Sequence, residues 1–305
     1  MDMNCSVTYR CGEYAYEYIH DWIKWPSNMY SFAISGIVCR SDDIIVSTRD
    51  RNYPIVFLSK DGDFIKSIGK ELEFNRTHGL TLDRDGSIWI CDDQNSVIYN
   101  LDLNGEVIHQ MGEIGKFSDN GYDPTVRWPH DLYTIKRAGE PFNRPTKWIQ
   151  SSWGDYYCSD GYGNVSIHRF SEQLELKKTW GGPGNGKGEF RLPHTLAIDE
   201  NERIWVCDRE NARIEIFDKD GEYISEIDKL LYPSELWNHH EHMYLCEGDG
   251  QVSIYNLEFE KEAVIGYPGC FTRIHSIGGD AEGNLFLGRI EGNDSLIKLK
   301  NVGLH

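Results

Sequence analysis

Short segments of alternating apolar and polar residues recur along most of the chain, separated by turns rich in aspartate and glycine. Three of these segments align well: THGLTLDRDGSIWICDD from Thr77, PHTLAIDENERIWVCDR from Pro193, and IHSIGGDAEGNLFLGRI from Ile274. Each contains an alternating strand, an acidic turn and a second strand, and a third strand follows a polar turn. Units of about forty residues with four short antiparallel strands are typical of β-propeller blades.

Weaker copies of the same repeat lie before and between these three segments. Blade one is predicted from about Phe32 to Gly69, and blade five begins at LYPSELWN with Pro233 in the position that His194 holds in blade four. Blade three is predicted to begin at TVRWPHDLYTI and to resume at YYCSDGYGNVSIHRF, after an insertion near 137–154. The complete set is therefore six repeats.

One alternating segment, YAYEYIHDWIKW from Tyr14 to Trp25, is left over from the repeats. The last repeat lacks an outer strand, so we expect this segment to join the last blade and to close the ring. A closed propeller leaves only short, protected strand edges. We therefore predict an all-β fold, a six-bladed β-propeller, in which residues 1–305 form a single domain.

Composition and charge narrow the range of partners and compartments. The formal net charge of −18 argues against nucleic acid and against anionic membrane surfaces as partners. No run of 18 apolar residues occurs, and the N-terminal segment MDMNCSVTYR lacks the features of a signal peptide. Four of the eight cysteines lie at or next to one repeated strand position, which suits a small buried hydrophobic residue better than a disulfide. We therefore predict a cytoplasmic protein with reduced thiols.

Histidines recur at one position of the repeat. His78, His194 and His275 each precede an equivalent second-strand residue by 13 positions, and His130 falls at the same place in the predicted start of blade three. The first strand of each blade lines the channel, so these side chains are expected to converge. A lone histidine there could cap a strand or bind a channel water, but four of the 11 histidines share this position. Convergent imidazoles favour zinc or a similar transition metal, and three protein ligands leave one position open for catalysis.

A second group of polar side chains follows the second strand of several blades. Arg49 follows Ser-Thr in blade one, Arg209 follows Cys-Asp in blade four, and Tyr162 lies two positions after Asp160 in blade three. These are either exposed turn residues or, beside a metal, a site that holds an anion and moves a proton. Arginine binds carboxylate in a fork, and a tyrosine near cations can act as a base. The second interpretation indicates a small carboxylate-bearing substrate.

Two stretches of the chain resemble a known enzyme family. RLPHTLAI followed by VCDRENARIEIF, and CSDGYGNVSIHRF in the preceding blade, are similar to the lyase domain of peptidylglycine α-amidating enzymes. That family is a six-bladed propeller of the NHL-repeat type, which cleaves peptidyl-α-hydroxyglycine into a peptide amide and glyoxylate. It uses a channel zinc held by three histidines, a tyrosine base and arginines near the substrate.

The functional residues of that family carry over to this chain by motif. Its three zinc ligands correspond to His78, His194 and His275. Its tyrosine base, in the SDGY stretch, corresponds to Tyr162. Its two arginines correspond to Arg209 in the DREN stretch and to Arg49 in blade one. The resemblance therefore implies zinc as the cofactor.

Three positions depart from the family pattern. His130 is an additional channel histidine, which we predict to be a further metal ligand or an acid–base residue. The acidic residue that helps to bind a structural calcium in the family is Ser276 here, which puts calcium in doubt. The family has a methionine two positions before the last zinc ligand, whereas this chain has Arg273 there. The arginine adds positive charge near the substrate.

The sequence therefore predicts a metal-dependent lyase of the peptidyl-α-hydroxyglycine-lyase-like type, acting on a small carboxylate-bearing substrate in the channel. The metal polarises a substrate oxygen, and Tyr162 moves the proton. Arg49, Arg209 and Arg273 clamp the carboxylate. The same residues would serve a metal-dependent hydratase, isomerase or hydrolase. A non-catalytic NHL-type binding module is the alternative from another class, and it needs no metal.

Overall fold

The computed structural model describes residues 7–30, 33–291 and 294–303, and almost all of its regular secondary structure is strand. The predicted first residue of blade one, Phe32, lies outside these ranges. No helix in the described ranges is long and apolar enough to cross a membrane.

The strands form six antiparallel sheets. Two N-terminal strands come first, β1 (Thr8–Cys11) and β2 (Tyr14–Ile19). Blade one contains β3 (Ile34–Cys39), β4 (Asp43–Thr48), β5 (Ile55–Ser59) and β6 (Phe64–Ile68). Blade two contains β7 (Thr77–Leu82), β8 (Ile88–Asp92), β9 (Val97–Leu101) and β10 (Val107–Met111). Blade three contains β11 (Pro145–Gln150), β12 (Tyr156–Asp160), β13 (Ser166–Phe170) and β14 (Leu176–Gly181).

The second half of the chain continues the same pattern. Blade four contains β15 (Pro193–Ile198), β16 (Ile204–Asp208), β17 (Arg213–Phe217) and β18 (Tyr223–Ile227). Blade five contains β19 (Pro233–His239), β20 (His242–Glu247), β21 (Gln251–Asn256) and β22 (Lys261–Gly266). Blade six contains β23 (Ile274–Gly279), β24 (Leu285–Arg289) and β25 (Leu296–Asn301), and its sheet continues through β2 to β1. The predicted all-β, six-bladed β-propeller is confirmed.

Large apolar side chains fill the space between neighbouring sheets. Between blades two and three, for example, the rings of Trp89 and Trp148 lie 4.9 Å apart, and both side chains are buried. The acidic turn of the repeat supports these side chains, because Asp83 accepts a hydrogen bond from the indole N–H of Trp89 at 2.7 Å. Asp199 accepts the same bond from Trp205 in blade four. The turn and the apolar core of the repeat are therefore linked.

The predicted start of blade three is wrong. The first strand of that blade is β11, in which Pro145 pairs with Asp160, just as Pro193 pairs with Asp208 in blade four. The TVRWPHDLYTI segment belongs instead to the connection between β10 and β11, where His130–Thr134 forms a short 3₁₀ helix. WPHDL resembles the strand start LPHTL, but only the segment at 145 has the spacing that pairs with β12.

The position assigned to Pro233 in blade five is also off by one residue. Pro233 pairs with Glu247 fourteen positions later, whereas the equivalent pair in blade four, Pro193 and Asp208, is fifteen positions apart. The hairpin of blade five is therefore one residue shorter, and Ser234 takes the position of His194 in the repeat.

Candidate metal centre

Each blade places the second residue of its first strand at a β-bulge, where the pairing with the second strand shifts. Six residues occupy this equivalent position, and we call them the channel ring: Ser35, His78, Thr146, His194, Ser234 and His275. Histidine alternates with a hydroxyl residue around the ring, so the three histidines come from blades two, four and six. An unpaired bulge residue is free to turn its side chain toward the channel.

The three imidazoles of the channel ring form a nearly equilateral triangle. The ring centroids of His78, His194 and His275 lie 4.8, 4.8 and 4.7 Å apart, and each pair of rings is nearly perpendicular. One nitrogen from each residue can be chosen so that all three lie within 4.8 Å of one another. All three side chains are buried. In the described ranges, this is the one group of three His, Cys, Asp or Glu side chains arranged to hold a metal ion.

Backbone carbonyls of the neighbouring blades orient two of these imidazoles. The Nδ1–H of His78 donates to the carbonyl of Thr146 at 2.7 Å, and the Nδ1–H of His194 donates to the carbonyl of Ser234 at 2.7 Å. In each case the carbonyl belongs to the next residue of the channel ring. A histidine held through Nδ1 presents the lone pair of Nε2, and this is the usual arrangement of a metal-ligating imidazole.

The residues present fit a metal ion. Burial, aided by the nearby arginines, lowers the pKa of His78, His194 and His275 well below the ordinary value, so the imidazoles are neutral and able to ligate. Both ring nitrogens of His275 are buried without a hydrogen-bond partner among the described residues. Three buried, inward-facing lone pairs with too few donors are unfavourable, and a cation would satisfy them.

Tyr162 lies directly against this triangle. Its hydroxyl oxygen is 3.3 Å from Nε2 of His78 and 3.1 Å from Nε2 of His194. The hydroxyl carries one proton, so it can donate to only one of these two acceptors at a time. Tyr162 is buried, and the ring of Trp128 packs against it with centroids 5.8 Å apart. The phenol oxygen is therefore held beside the position that a metal-bound group would occupy.

Arginines surround the same phenol ring. The guanidinium carbons of Arg76, Arg144 and Arg209 lie 4.7, 5.2 and 5.9 Å from the centre of the Tyr162 ring. Arg49 is close enough to the tyrosine for their charges to interact. Its Nε is buried without a partner among the described residues, and burial lowers its pKa. Positive charge around the phenol favours a negatively charged ligand beside it.

A buried carboxylate links two of these arginines. Asp93 is fully buried and accepts hydrogen bonds from Arg76, through Nε at 2.6 Å and through a second guanidinium nitrogen. It also accepts from Arg144 at 3.0 Å, and Arg144 donates in addition to the hydroxyl of Tyr122 at 2.8 Å. We call Arg76, Asp93 and Arg144 the Asp93 triad. It holds two guanidinium groups against Tyr162.

Tyr162 and His275 line a cavity of about 810 Å³, which opens at the end of the channel where the phenol of Tyr162 lies. Five arginines also line it: Arg49, Arg76, Arg144, Arg209 and Arg273. Arg209 is paired with Glu210 at 3.1 Å, and the exposed Arg273 approaches Glu291 at 3.5 Å. The concentration of arginine is notable in a chain of net charge −18. The cavity is therefore suited to an anionic ligand.

The structure brings most of the predicted site residues together. Arg49, Tyr162, Arg209 and Arg273 line the same cavity as His275. His130 is the exception, because it lies exposed on the 3₁₀ helix of the β10–β11 connection and not on a channel strand. Its predicted place in the histidine ring is wrong, and Thr146 holds that position.

Sequence reasoning missed Arg76 and Arg144. A repeat-based signal was present, because each arginine lies two positions before a channel-ring residue, as Arg273 does before His275. Three of the six repeats therefore carry arginine at one position, at the mouth of the channel. The misplaced start of blade three concealed this pattern for Arg144.

Comparisons with known proteins agree with the resemblance in sequence. The family model "NHL repeat" matches residues 190–217, in blade four. Peptidyl-glycine alpha-amidating monooxygenase B of Xenopus laevis is 31% identical over 186 residues, which cover 57% of this chain and 18% of that protein. Peptidyl-alpha-hydroxyglycine alpha-amidating lyase 1 of Drosophila melanogaster is 26% identical over 60% of this chain and 32% of its own length. NHL repeat-containing protein 3 of Mus musculus is 25% identical over 68% of this chain and 59% of its own length. The chain thus spans less than two thirds of each of these relatives.

Solved structures support the fold. A gluconolactonase from Xanthomonas campestris has a TM-score of 0.65 at 14% identity, with 99% of both chains covered. A streptogramin B lyase has a TM-score of 0.64 at 15% identity, over 90% of this chain and 95% of that chain. The chain is therefore a six-bladed β-propeller with an NHL repeat, similar in sequence to proteins named as peptidylglycine α-amidating monooxygenases and hydroxyglycine lyases.

Proposed function

We propose that the chain is a metal-dependent lyase that acts on a small carboxylate-bearing substrate, in the manner of the peptidyl-α-hydroxyglycine lyases. One observation carries this proposal: the hydroxyl of Tyr162 lies within 3.3 Å of two inward-facing imidazoles, in a cavity lined by arginines. The relatives named as hydroxyglycine lyases support the reaction class.

The metal would be held by His78, His194 and His275. Neutral imidazoles suit zinc or another borderline transition metal, and three protein ligands leave one position open. Bound there, such an ion polarises a substrate oxygen as a Lewis acid. The carbonyls of Thr146 and Ser234 keep the Nε2 atoms of two ligands directed at the site.

The remaining residues have roles that follow from their positions. Tyr162, acting with its phenol oxygen deprotonated, takes the proton of the substrate hydroxyl and passes it to the departing nitrogen, because its oxygen is the acid–base group beside the metal ligands. Arg49 and Arg209 bind the substrate carboxylate, with Arg273 at the outer edge of the cavity. When the bond between the α-carbon and nitrogen breaks, the hydroxyl becomes an aldehyde oxygen, and the nitrogen gains a proton as an amide. Glyoxylate and an amide are then the products.

A proton carrier beside a Lewis acid would also support hydration, isomerisation or hydrolysis, and a binding module would need neither group. The natural ligand proposed here is a small molecule, not a nucleic acid or a membrane. We also propose a cytoplasmic location with reduced thiols. The supporting observation is that Cys91, Cys158, Cys207 and Cys246 are buried within the second strands of their blades.

The direct test is to incubate the zinc-loaded chain with a benzoyl-capped α-hydroxyglycine and to measure glyoxylate and benzamide. We expect both products in equal amounts, and neither from chain stripped of metal by a chelator. Mandelate is the matched control, because it is an α-hydroxy acid without an α-nitrogen and has no carbon–nitrogen bond to cleave. A zinc-loaded chain that releases no glyoxylate would contradict the lyase assignment and favour another reaction or a binding role.

A further inference from the structure

A buried ion pair crosses the channel next to the histidine triangle. Lys147 lies on β11 and Glu235 on β19, and the Nζ of the lysine is in contact with Oε1 of the glutamate. Both side chains are buried. Nothing in the proposed chemistry uses either residue, because Tyr162 and the arginines lie in the cavity on the other side of the triangle.

The two charged residues directly follow the residues that orient the metal ligands. Lys147 comes after Thr146, whose carbonyl accepts the Nδ1–H of His78. Glu235 comes after Ser234, whose carbonyl accepts the Nδ1–H of His194. The ion pair therefore connects the two strand segments on which the orientation of both imidazoles depends.

Further hydrogen bonds extend the connection to the strands that carry the ligands. Lys147 Nζ donates to the carbonyl of Leu80 at 3.1 Å, and Leu80 lies two residues after His78 on β7. The backbone N–H of Ile277, two residues after His275 on β23, donates to Oε2 of Glu235 at 3.3 Å. One pair of side chains thus contacts the innermost strands of four blades.

Gly79 makes room for this arrangement. A Cβ atom at residue 79 would lie 2.4 Å from the carbonyl oxygen of Thr146 and 2.7 Å from Cδ of Lys147. Any larger residue beside His78 would therefore displace both the carbonyl that orients the imidazole and the lysine that crosses the channel. The backbone of β7, which carries the ligand His78, therefore packs closely against the ion pair.

We propose that Lys147 and Glu235 are positioning residues of the metal centre, which hold the carbonyls of Thr146 and Ser234 at the separation that directs two imidazoles to one point. The inference rests on the proposed function, because it assumes that the triangle binds a metal. A buried ion pair is generally no more stabilising than an apolar pair of similar size. Its role here is therefore to fix geometry, as outer-shell partners of metal ligands do.

The test compares the wild-type chain with the double variant Lys147→Met/Glu235→Met, which keeps the volume of the pair but removes the ion pair. Zinc affinity is measured by chelator competition, and the visible absorption of the cobalt(II)-loaded chain reports the geometry of the ligands. We expect a zinc affinity about 10- to 100-fold lower and a changed cobalt spectrum, with the metal-free chain still folded. Arg40→Met/Asp43→Met is the matched control, because this ion pair lies in the turn between β3 and β4, away from Ser35 of the channel ring, and should change neither quantity.

The possible outcomes separate this inference from the proposed function. Wild-type affinity and spectrum in the folded double variant would overturn the positioning role and leave the metal centre intact. A wild-type chain that binds no zinc would overturn the proposed function, and this inference with it. If the double variant does not fold, the single variant Glu235→Gln tests the positioning role instead. It keeps an acceptor for Lys147 but loses the charge, so we expect weaker zinc binding and a shifted cobalt spectrum, and wild-type values for both would overturn the role.

Discussion

Replacing Tyr162 with phenylalanine is expected to lower kcat for hydroxyglycine cleavage by about 10²- to 10⁴-fold, the usual contribution of a general acid or base. The variant loses only the oxygen that lies 3.1 Å from Nε2 of His194 and 3.3 Å from Nε2 of His78. The packing of the ring against Trp128 and Arg76 does not depend on that oxygen. Zinc content should therefore stay at the wild-type value, and the loss should appear in kcat of the zinc-loaded variant.

Tyr133→Phe is the matched control for this substitution. Tyr133 lies on the 3₁₀ helix near the cavity, and its side chain is 65% exposed, so removing its hydroxyl should leave kcat unchanged. Full turnover in Tyr162→Phe would show that the proton moves through another group. A fall in zinc content of that variant would instead make Tyr162 part of the metal centre and not its base.

Replacing Asp93 with asparagine is expected to lower the free energy of unfolding by about 3 kcal/mol, because it leaves two largely buried guanidinium groups without their carboxylate. Burial alone would lower the pKa of Arg76, but the Asp93 carboxylate raises it above its ordinary value. Arg144 shares the same carboxylate oxygen at 3.0 Å. Denaturant unfolding of the metal-free chain measures this loss without a contribution from bound zinc.

The control for Asp93→Asn is Asp63→Asn, which removes an exposed ion pair with Lys24. The side chain of Lys24 is 69% exposed and that of Asp63 is 53% exposed. The expected loss in the free energy of unfolding is therefore at most about 1 kcal/mol. Equal costs for the two variants would mean that the Asp93 triad contributes no more than a surface pair. Its arrangement of arginines around Tyr162 would then need another explanation.

The histidine triangle could be predicted from the sequence because it follows from the repeat. His78, His194 and His275 occupy one position in blades of equal hairpin length, so a constant spacing to the second strand placed all three at the same height in the channel. Local periodicity sufficed here, because a propeller converts equivalent positions in the repeat into neighbours around one axis.

The same reasoning failed where the spacing was interrupted. His130 lies in a sequence that imitates a strand start, but the connection between β10 and β11 spans residues 112–144, and the true strand begins beyond it. Only pairing with β12 decides between the two candidate strands, and pairing is a long-range property. The shorter hairpin of blade five caused the smaller error at Pro233 for a similar reason.

Contacts between blades were beyond the reach of the sequence. The bond from His78 to the Thr146 carbonyl joins residues 68 positions apart, and the contact of Lys147 with Glu235 joins residues 88 positions apart. The pattern within one repeat contains no information about contacts between residues of different repeats. The Asp93 triad likewise depends on Arg144, which comes from the connection between blades two and three.

The metal content per chain decides whether the triangle of His78, His194 and His275 binds a metal. We expect about one zinc or similar ion per chain in wild-type protein and in His130→Ala, whose histidine is exposed on the 3₁₀ helix. We expect almost none in His194→Ala. Wild-type protein without metal even after incubation with zinc, or a His194→Ala variant that keeps a full equivalent, would show that the histidine triangle is not a metal site.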